Sequence, residues 1–159
     1  MNIIEDWKFI RNHFNTSFKQ NLHVSIASVD NENNPTITPI GSLFLNKDSS
    51  GFYFEKFPTK LPENAKSNRN ICVLAVNSSK WFWFTSLLKG KFKKYPALKL
   101  YGTLEEKRDA SDIEISRLQR RMKATKGLKG NTYLWKDMKA VRIIKFTKVE
   151  KINLGKMTS

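Results

Sequence analysis

Side chains able to do covalent or acid–base chemistry are few in this chain, and their spacing does not gather them. It carries two histidines and one cysteine. His13 falls in the first helical segment, His23 at the start of the first strand, and Cys72 inside an apolar strand. A nucleophilic triad is defined by mutual geometry and by the roles of its members, and no base here is spaced to serve a nucleophile. Cys72 reads as an inert core thiol. No metal site is expected from ligands so far apart. Gly-x-Gly-x-x-Gly and Gly-x-x-x-x-Gly-Lys-Ser/Thr are absent, so the usual dinucleotide and P-loop readings fail. No catalytic residue stands out.

Two segments carry a different chemistry, that of holding a flat, phosphorylated ligand. In Thr36-Ile37-Thr38-Pro39-Ile40-Gly41-Ser42 a proline removes a ladder donor and a glycine allows close approach. That pattern fits an edge strand with a bulge. It equally fits a backbone platform for a flat ligand, with the Thr38 and Ser42 hydroxyls as polar handles. In Phe57-Pro58-Thr59-Lys60-Leu61-Pro62-Glu63-Asn64, Thr59 is placed to cap a short helix reaching Ser67. Exposed amides at such a start attract a phosphate, and Lys60 adds a point charge. An ordinary capped helix with a solvated lysine would look the same.

Around these segments the chain reads as mainly antiparallel β with flanking helices. Ile3, Trp7, Ile10, Phe14 and Phe18 recur at helical spacing and predict a helix over residues 3–19. Strands are expected over Leu22–Val29, Thr36–Leu45 and Phe52–Glu55, joined by short Asn-, Pro- and Gly-bearing turns. Ile71–Val76 is a near-continuous apolar run, as in a buried central strand. The aromatic stretch from Trp81 to Gly90 reads as a loop or insertion packing on something. Ala97–Arg108 predicts a strand, with Gly102 marking a bulge or a close approach. Ser111-Asp112-Ile113-Glu114 is a capping box that starts a helix running to Lys126. Asn131–Met138 predicts a helical turn or two, and Val141–Val149 a last strand. About six strands with few helices suit a small closed or half-closed barrel.

The 159 residues suit one domain over 1–159, with disorder expected only at Lys156–Ser159. No apolar run approaches the roughly 20 residues that span a bilayer. The first residues lack a basic stretch followed by an apolar one, so a cytoplasmic location is expected and no membrane partner. The net charge of +15 attracts anions of every kind. Its densest cluster is Arg117, Arg120, Arg121, Lys123, Lys126 and Lys129, without a recognised nucleic-acid motif. Solvated faces account for most of such a charge; nucleic acid is the less favoured partner.

The order Val24-Ser25-Ile26-Ala27-Ser28-Val29-Asp30, Pro35 and Thr38-Pro39-Ile40-Gly41-Ser42-Leu43 resembles the opening of the pyridoxamine 5′-phosphate oxidase-like family of FMN-binding split barrels. The similarity continues through Gly51–Glu55, Thr59-Lys60, Asn64, Asn68–Val73 and Leu100–Leu104. Trp135-Lys136-Asp137-Met138 with Val141-Arg142 is similar to the closing segment of a flavin-nucleotide-binding subgroup. The resemblance implies a homodimer with FMN at the subunit interface. The flavin phosphate would sit at Thr59 and Lys60, with Asn64 beside them. The isoalloxazine would lie along Thr38, Pro39, Ile40, Gly41 and Ser42 and along Phe54, Glu55 and Phe57. Lids from the partner subunit would come from Trp81, Trp83 or Trp135; each is also a candidate core or dimer contact. The true oxidases carry an arginine in the second strand and an Arg-Lys pair at the phosphate-binding helix. Here the strand has no arginine and Lys60 is followed by Leu61. The resemblance therefore implies a flavin-dependent oxidoreductase or carrier of undefined substrate, not a pyridoxamine phosphate oxidase. A non-catalytic flavin or haem module and a polyanion binder are the alternatives.

Overall fold

The computed structural model describes residues 1–159 and opens with a helix, α1 (Trp7–Asn21). Trp7, Ile10 and Phe14 bury one face of it. The helix begins later than residue 3 because the Asn2 side chain accepts the Ile4 and Glu5 amides and closes its own turn. Ile4 consequently faces solvent. The helix ends where Leu22 takes the left-handed conformation, with φ of 62°.

Next come β1 (Val24–Val29) and β2 (Pro35–Ile40), an antiparallel hairpin whose turn is held by the Asp30 carboxylate accepting the Glu32 and Asn34 amides. The strand expected to run from Thr36 to Leu45 is divided. After Ile40 the chain bends through Gly41–Leu43 into β3 (Phe44–Leu45), which pairs with β4 (Ser50–Phe54) at the far side of the sheet. Ser42 makes that transfer: its hydroxyl accepts the Phe54 N–H at 3.1 Å and donates to the Phe54 carbonyl at 3.2 Å. The sheet therefore has seven strands, not about six.

The short α2 (Lys60–Asn64) leads into β5 (Asn70–Val76), and α3 (Lys80–Lys89) leaves it. The aromatic stretch is thus a helix and not a loop. The Ser79 hydroxyl accepts the Phe82 amide at its start, and Gly90, with φ of 62°, ends it. Consecutive aromatics hid the 3.6-residue period because they put apolar groups on every side. Phe82 and Trp83 dock it by packing on Phe92, ring centroids 5.4 and 5.2 Å away.

The long β6 (Ala97–Asp109) is followed by α4 (Asp112–Arg121), started by the expected capping box of Ser111 and Glu114. Past Arg121 the helix tightens into a 3-10 turn at Lys123–Thr125 instead of continuing to Lys126. Then come α5 (Lys129–Trp135) and β7 (Ala140–Lys151). In the tail Gly155–Met157 forms a 3-10 turn, and the Met157 carbonyl accepts the distant Phe92 amide at 2.8 Å.

The strands form one open antiparallel sheet in the order β2-β1-β5-β6-β7-β4-β3. It curls so that Val24, Ile26, Ile40, Tyr53, Val73, Leu100 and Ile144, drawn from strands along the whole sheet, share one core with the apolar face of α1. Curvature is concentrated where β6 crosses β7, with register shifts at Tyr101/Gly102 and Leu104/Lys107. Gly102 is required there: a β-carbon would sit 2.3 Å from the Lys145 carbonyl oxygen. A second cluster, Phe44, Phe52, Phe54, Leu118, Met138 and Val141, covers the other face of β4 beneath α4. That is why Gly51–Phe54 is buried without alternation. No helix is long and apolar enough to cross a membrane.

Candidate functional site

The chain leaves β4 at Phe54 and turns through Glu55–Thr59 into α2, and a cleft of about 390 Å³ opens beside that turn. Glu55, Lys56, Thr59, Glu63, Lys66 and Lys107 line it, with Pro58 and Pro62. Glu55 forms its floor. Its carboxylate accepts Arg142 Nε at 2.6 Å and Arg142 Nη2 at 2.9 Å, and the Tyr53 hydroxyl donates to it at 2.6 Å. Lys107 Nζ stands 3.9 Å away on the solvent side. Burial would raise the Glu55 carboxyl, but Arg142, Tyr53 and Lys107 together hold it below the usual carboxylate range. Burial and the Glu55 charge push the Tyr53 phenol well above its ordinary value. Glu55 is a fixed anion, already neutralised. Lys56, Lys66 and Lys107 then outweigh Glu63, and the cleft offers a ligand net positive charge.

Thr59 and Lys60 sit at the start of α2 as the sequence places them. Contrary to the expected cap, the Thr59 hydroxyl accepts no amide of α2, which ends at Asn64 and not at Ser67, so the hydroxyl stays free for a ligand. Lys60 lies over Glu63 at 3.1 Å, both well exposed, a pair easily opened. Phe57 is 47% exposed at the rim, stacked on Tyr133 at 6.2 Å with Lys56 over its ring. Asn64 is buried, and its amide donates to Ser28 Oγ and Thr36 Oγ1 at 2.9 Å each, tying α2 to the β1–β2 hairpin. Phe54 belongs to the core under α4.

Along β2, Thr38 lies opposite Ile26 and Ile40 opposite Val24 on the core side, while Pro39 pairs with Ser25 on the outer side of this edge strand. The close approach at Gly41 comes from within the chain: a β-carbon there would meet the Leu22 carbonyl and the Trp135 ring, each at 3.2 Å. Trp135 therefore covers the β2–β3 bend within its own chain. Trp81 and Trp83 are elsewhere. α2 enters β5 at Asn70 and α3 leaves it beyond Val76, so the length of that strand, roughly 20 Å, separates them. Trp83 Nε1 donates to the Asn77 carbonyl at 2.7 Å, whereas Trp81 is 73% exposed. Lys66, Lys107 and Arg142 escaped the sequence reading as ligand or floor residues. Lys107 reaches the cleft only through the shifted register that sets it opposite Arg142.

The histidines do not join this site. His13 is buried with Nε2 3.0 Å from the Ala75 carbonyl, and burial lowers its pKa. His23 is exposed, with Nδ1 2.8 Å from the Asn21 carbonyl. No group of His, Cys, Asp and Glu side chains is placed to hold a metal ion.

No protein-family model matches the sequence, and no curated protein matches it. Solved structures do. An FMN-binding protein from Syntrophomonas wolfei superposes with a TM-score of 0.59 at 16% identity, over 95% of each chain. HupZ of Group A Streptococcus gives 0.58 at 18% identity, over 93% of this chain and 94% of its own. HutZ, the haem storage protein of Vibrio cholerae, gives 0.55 at 13% identity, over 95% of each. The chain has the FMN-binding split-barrel fold. The resemblance carried by Thr38–Ser42, Thr59-Lys60 and Leu100–Leu104 thus holds at the level of the fold. The chain passes from one edge strand, β2, to the other, β3, through Gly41–Leu43, where Ser42 is bonded to Phe54 of β4.

Proposed function

We propose that this split barrel binds FMN and works as a homodimer, as a flavin-dependent oxidoreductase on a small molecule other than pyridoxamine 5′-phosphate. One observation carries the reading. At the start of α2, the cleft brings the unbonded Thr59 hydroxyl together with Lys66 and Lys107, beside the exposed Lys60. A phosphate dianion needs such a set of donors and point charges. Flavin, when bound, supplies the redox chemistry. The chain's own residues bind and orient: Thr59, Lys60 and Lys66 at the phosphate, Phe57 at the rim, and the β2 edge at Thr38 and Pro39 alongside the ring. Glu55 stays ionised against Arg142, so it fixes the floor and transfers no proton.

The homodimer reading rests on what the single chain leaves uncovered. Trp81, Phe84, Leu87 and Leu88 are exposed on α3, and Ile37 is 72% exposed on β2. An exposed apolar helix face such as that of α3 suits an interface. Since Trp81 and Trp83 are a strand's length from the α2 cleft of their own chain, they serve as lids only across a dimer. Trp135 acts within its own subunit.

Reconstitution tests this directly. Purified protein is titrated with FMN and followed by flavin fluorescence and visible absorption. Saturable binding, weakened roughly tenfold or more in Thr59→Val with Lys60→Gln, supports the reading. Protein that takes up no flavin overturns it. The likeness to a haem storage protein favours a second occupant of the same fold. A Soret band on haem titration, in place of flavin uptake, would assign the chain there.

A further inference from the structure

Away from the α2 cleft, α1 and α4 flank the outer edge of β3 and enclose a cleft of about 630 Å³ lined by Phe18, Lys19, Leu22, Arg117, Arg120 and Arg121, with Asn15 and Phe44. As an edge strand β3 has no neighbour for its outward carbonyls, and arginines from α4 take that place. Arg121 Nη1 donates to the Leu43 carbonyl at 2.5 Å, and Arg117 donates to the Leu45 carbonyl at 2.9 Å and to Asn46 Oδ1 at 2.6 Å. The Arg121 guanidinium is clamped between aromatic rings, 3.5 Å from the Phe44 centroid and 4.1 Å from that of Phe18. A guanidinium carries five donors, and Arg121 uses one of them on the protein. The others are not sealed in, because the one fully enclosed side-chain donor without a partner is Arg11 Nε, beside this cluster.

No carboxylate compensates the group. Every ion pair within 4.0 Å in the molecule involves other cations, and Arg11, Lys19, Arg117, Arg120 and Arg121 are in none. Glu114, whose field reaches Arg117, is held by both terminal nitrogens of the Arg108 guanidinium. Burial, with the charge of Arg117, brings the Arg121 pKa down to about 9, and burial with Arg11 lowers that of Arg117. Desolvated like charges are unfavourable unless an anion joins them.

We propose that the cleft between α1 and α4 is a binding site for a small polyanion, a molecule bearing a diphosphate or longer phosphate chain. Arg121 and Arg120 grip the phosphates, Lys19 closes on them from α1, and an apolar portion lies against Phe18 and Leu22. Fixed guanidiniums suit phosphate oxygens, which accept their paired donors. The recessed shape and apolar wall favour a small ligand over a nucleic-acid backbone, which needs an open basic stripe. The site is separate from the flavin reading and does not depend on it.

The probe is inorganic pyrophosphate, titrated calorimetrically into the full chain at fixed ionic strength. The variant is Lys19→Gln with Arg120→Gln, whose parent side chains hold no backbone carbonyl, and circular dichroism checks its fold. A saturable pyrophosphate site in the wild type that is weakened roughly tenfold or more in this variant and persists in Thr59→Val with Lys60→Gln supports the inference. No binding by the wild type, equal binding by the Lys19/Arg120 variant, or loss only in the Thr59/Lys60 variant overturns it. Retention of duplex DNA that depends on Lys19 and Arg120 while pyrophosphate fails to bind also overturns it, in favour of a nucleic-acid surface.

Discussion

Glu55 illustrates how a residue in a candidate site can be structural in its chemistry. Its carboxylate is buried and stays charged because Arg142 meets it with two nitrogens and Tyr53 donates to it. The folded protein therefore holds this proton more weakly than the unfolded chain does. The stability it contributes is fully present above the unfolded glutamate pKa, about 4.3, and is lost as pH falls through the lower folded value. Denaturant midpoints of the wild type should fall steeply below about pH 4. Glu55→Gln should be less stable near neutral pH by about 3 kcal/mol, since it leaves Arg142 without its countercharge, and its acid limb should be shallower. Equal midpoints across pH for the two proteins would remove Glu55 from this role. Thr59 and Lys60 are the opposite kind of residue: exposed and bonded to little, so their substitution should change ligand affinity and leave the midpoint within about 0.5 kcal/mol.

Single positions also decide whether whole elements form as they do. At the crossing of β6 and β7 the backbones approach so closely that Gly102→Ala would put a methyl 2.3 Å from the Lys145 carbonyl oxygen. Backbone must move to accept it, and the variant should lose about 3 kcal/mol, read as a lowered denaturant midpoint. The cap of α3 is a milder case. Ser79→Ala removes the acceptor of the Phe82 amide and should cost about 1 kcal/mol of stability. That helix is docked on one side through Phe82 and Trp83, so its fraying should expose Trp83 and quench or shift its fluorescence.

The molecule as a whole carries two conspicuous surfaces, one apolar and one basic. On α3, Trp81, Phe84 and Leu88 recur at spacings that put them on one helical face, and all are exposed. If a second copy covers them, as the proposed dimer requires, light scattering should give twice the mass of one chain. Trp81→Glu with Leu88→Glu should then yield the monomer and release flavin. A wild type that runs as a monomer at micromolar concentration would sink the dimer. The net charge of +15 should make any anion binding weaken as salt is raised, more so at the exposed lysines than at the half-enclosed Arg121.

Residue types in order were enough to make the fold legible. Alternating and continuous apolar runs marked most strands, the Ser111–Glu114 box marked the start of α4, and Gly102 marked the close approach in β6. These are local signals, read within a few residues of chain. The start of α2 at Thr59-Lys60 was legible for the same reason, since a helix start and its polar neighbours are contiguous. The break of the second strand at Gly41–Leu43 was not legible, because it exists to bring Ser42 to Phe54, a partner 12 residues away. Nor was α3, whose period was masked by its own aromatics. The cleft itself needed tertiary structure. Lys107 and Arg142 come to Glu55 through β6–β7 register, and Arg121 meets Phe18 and Phe44 through helix packing. Sequence fixes which elements form; pairing register and packing across the sheet decide which side chains then share a cavity.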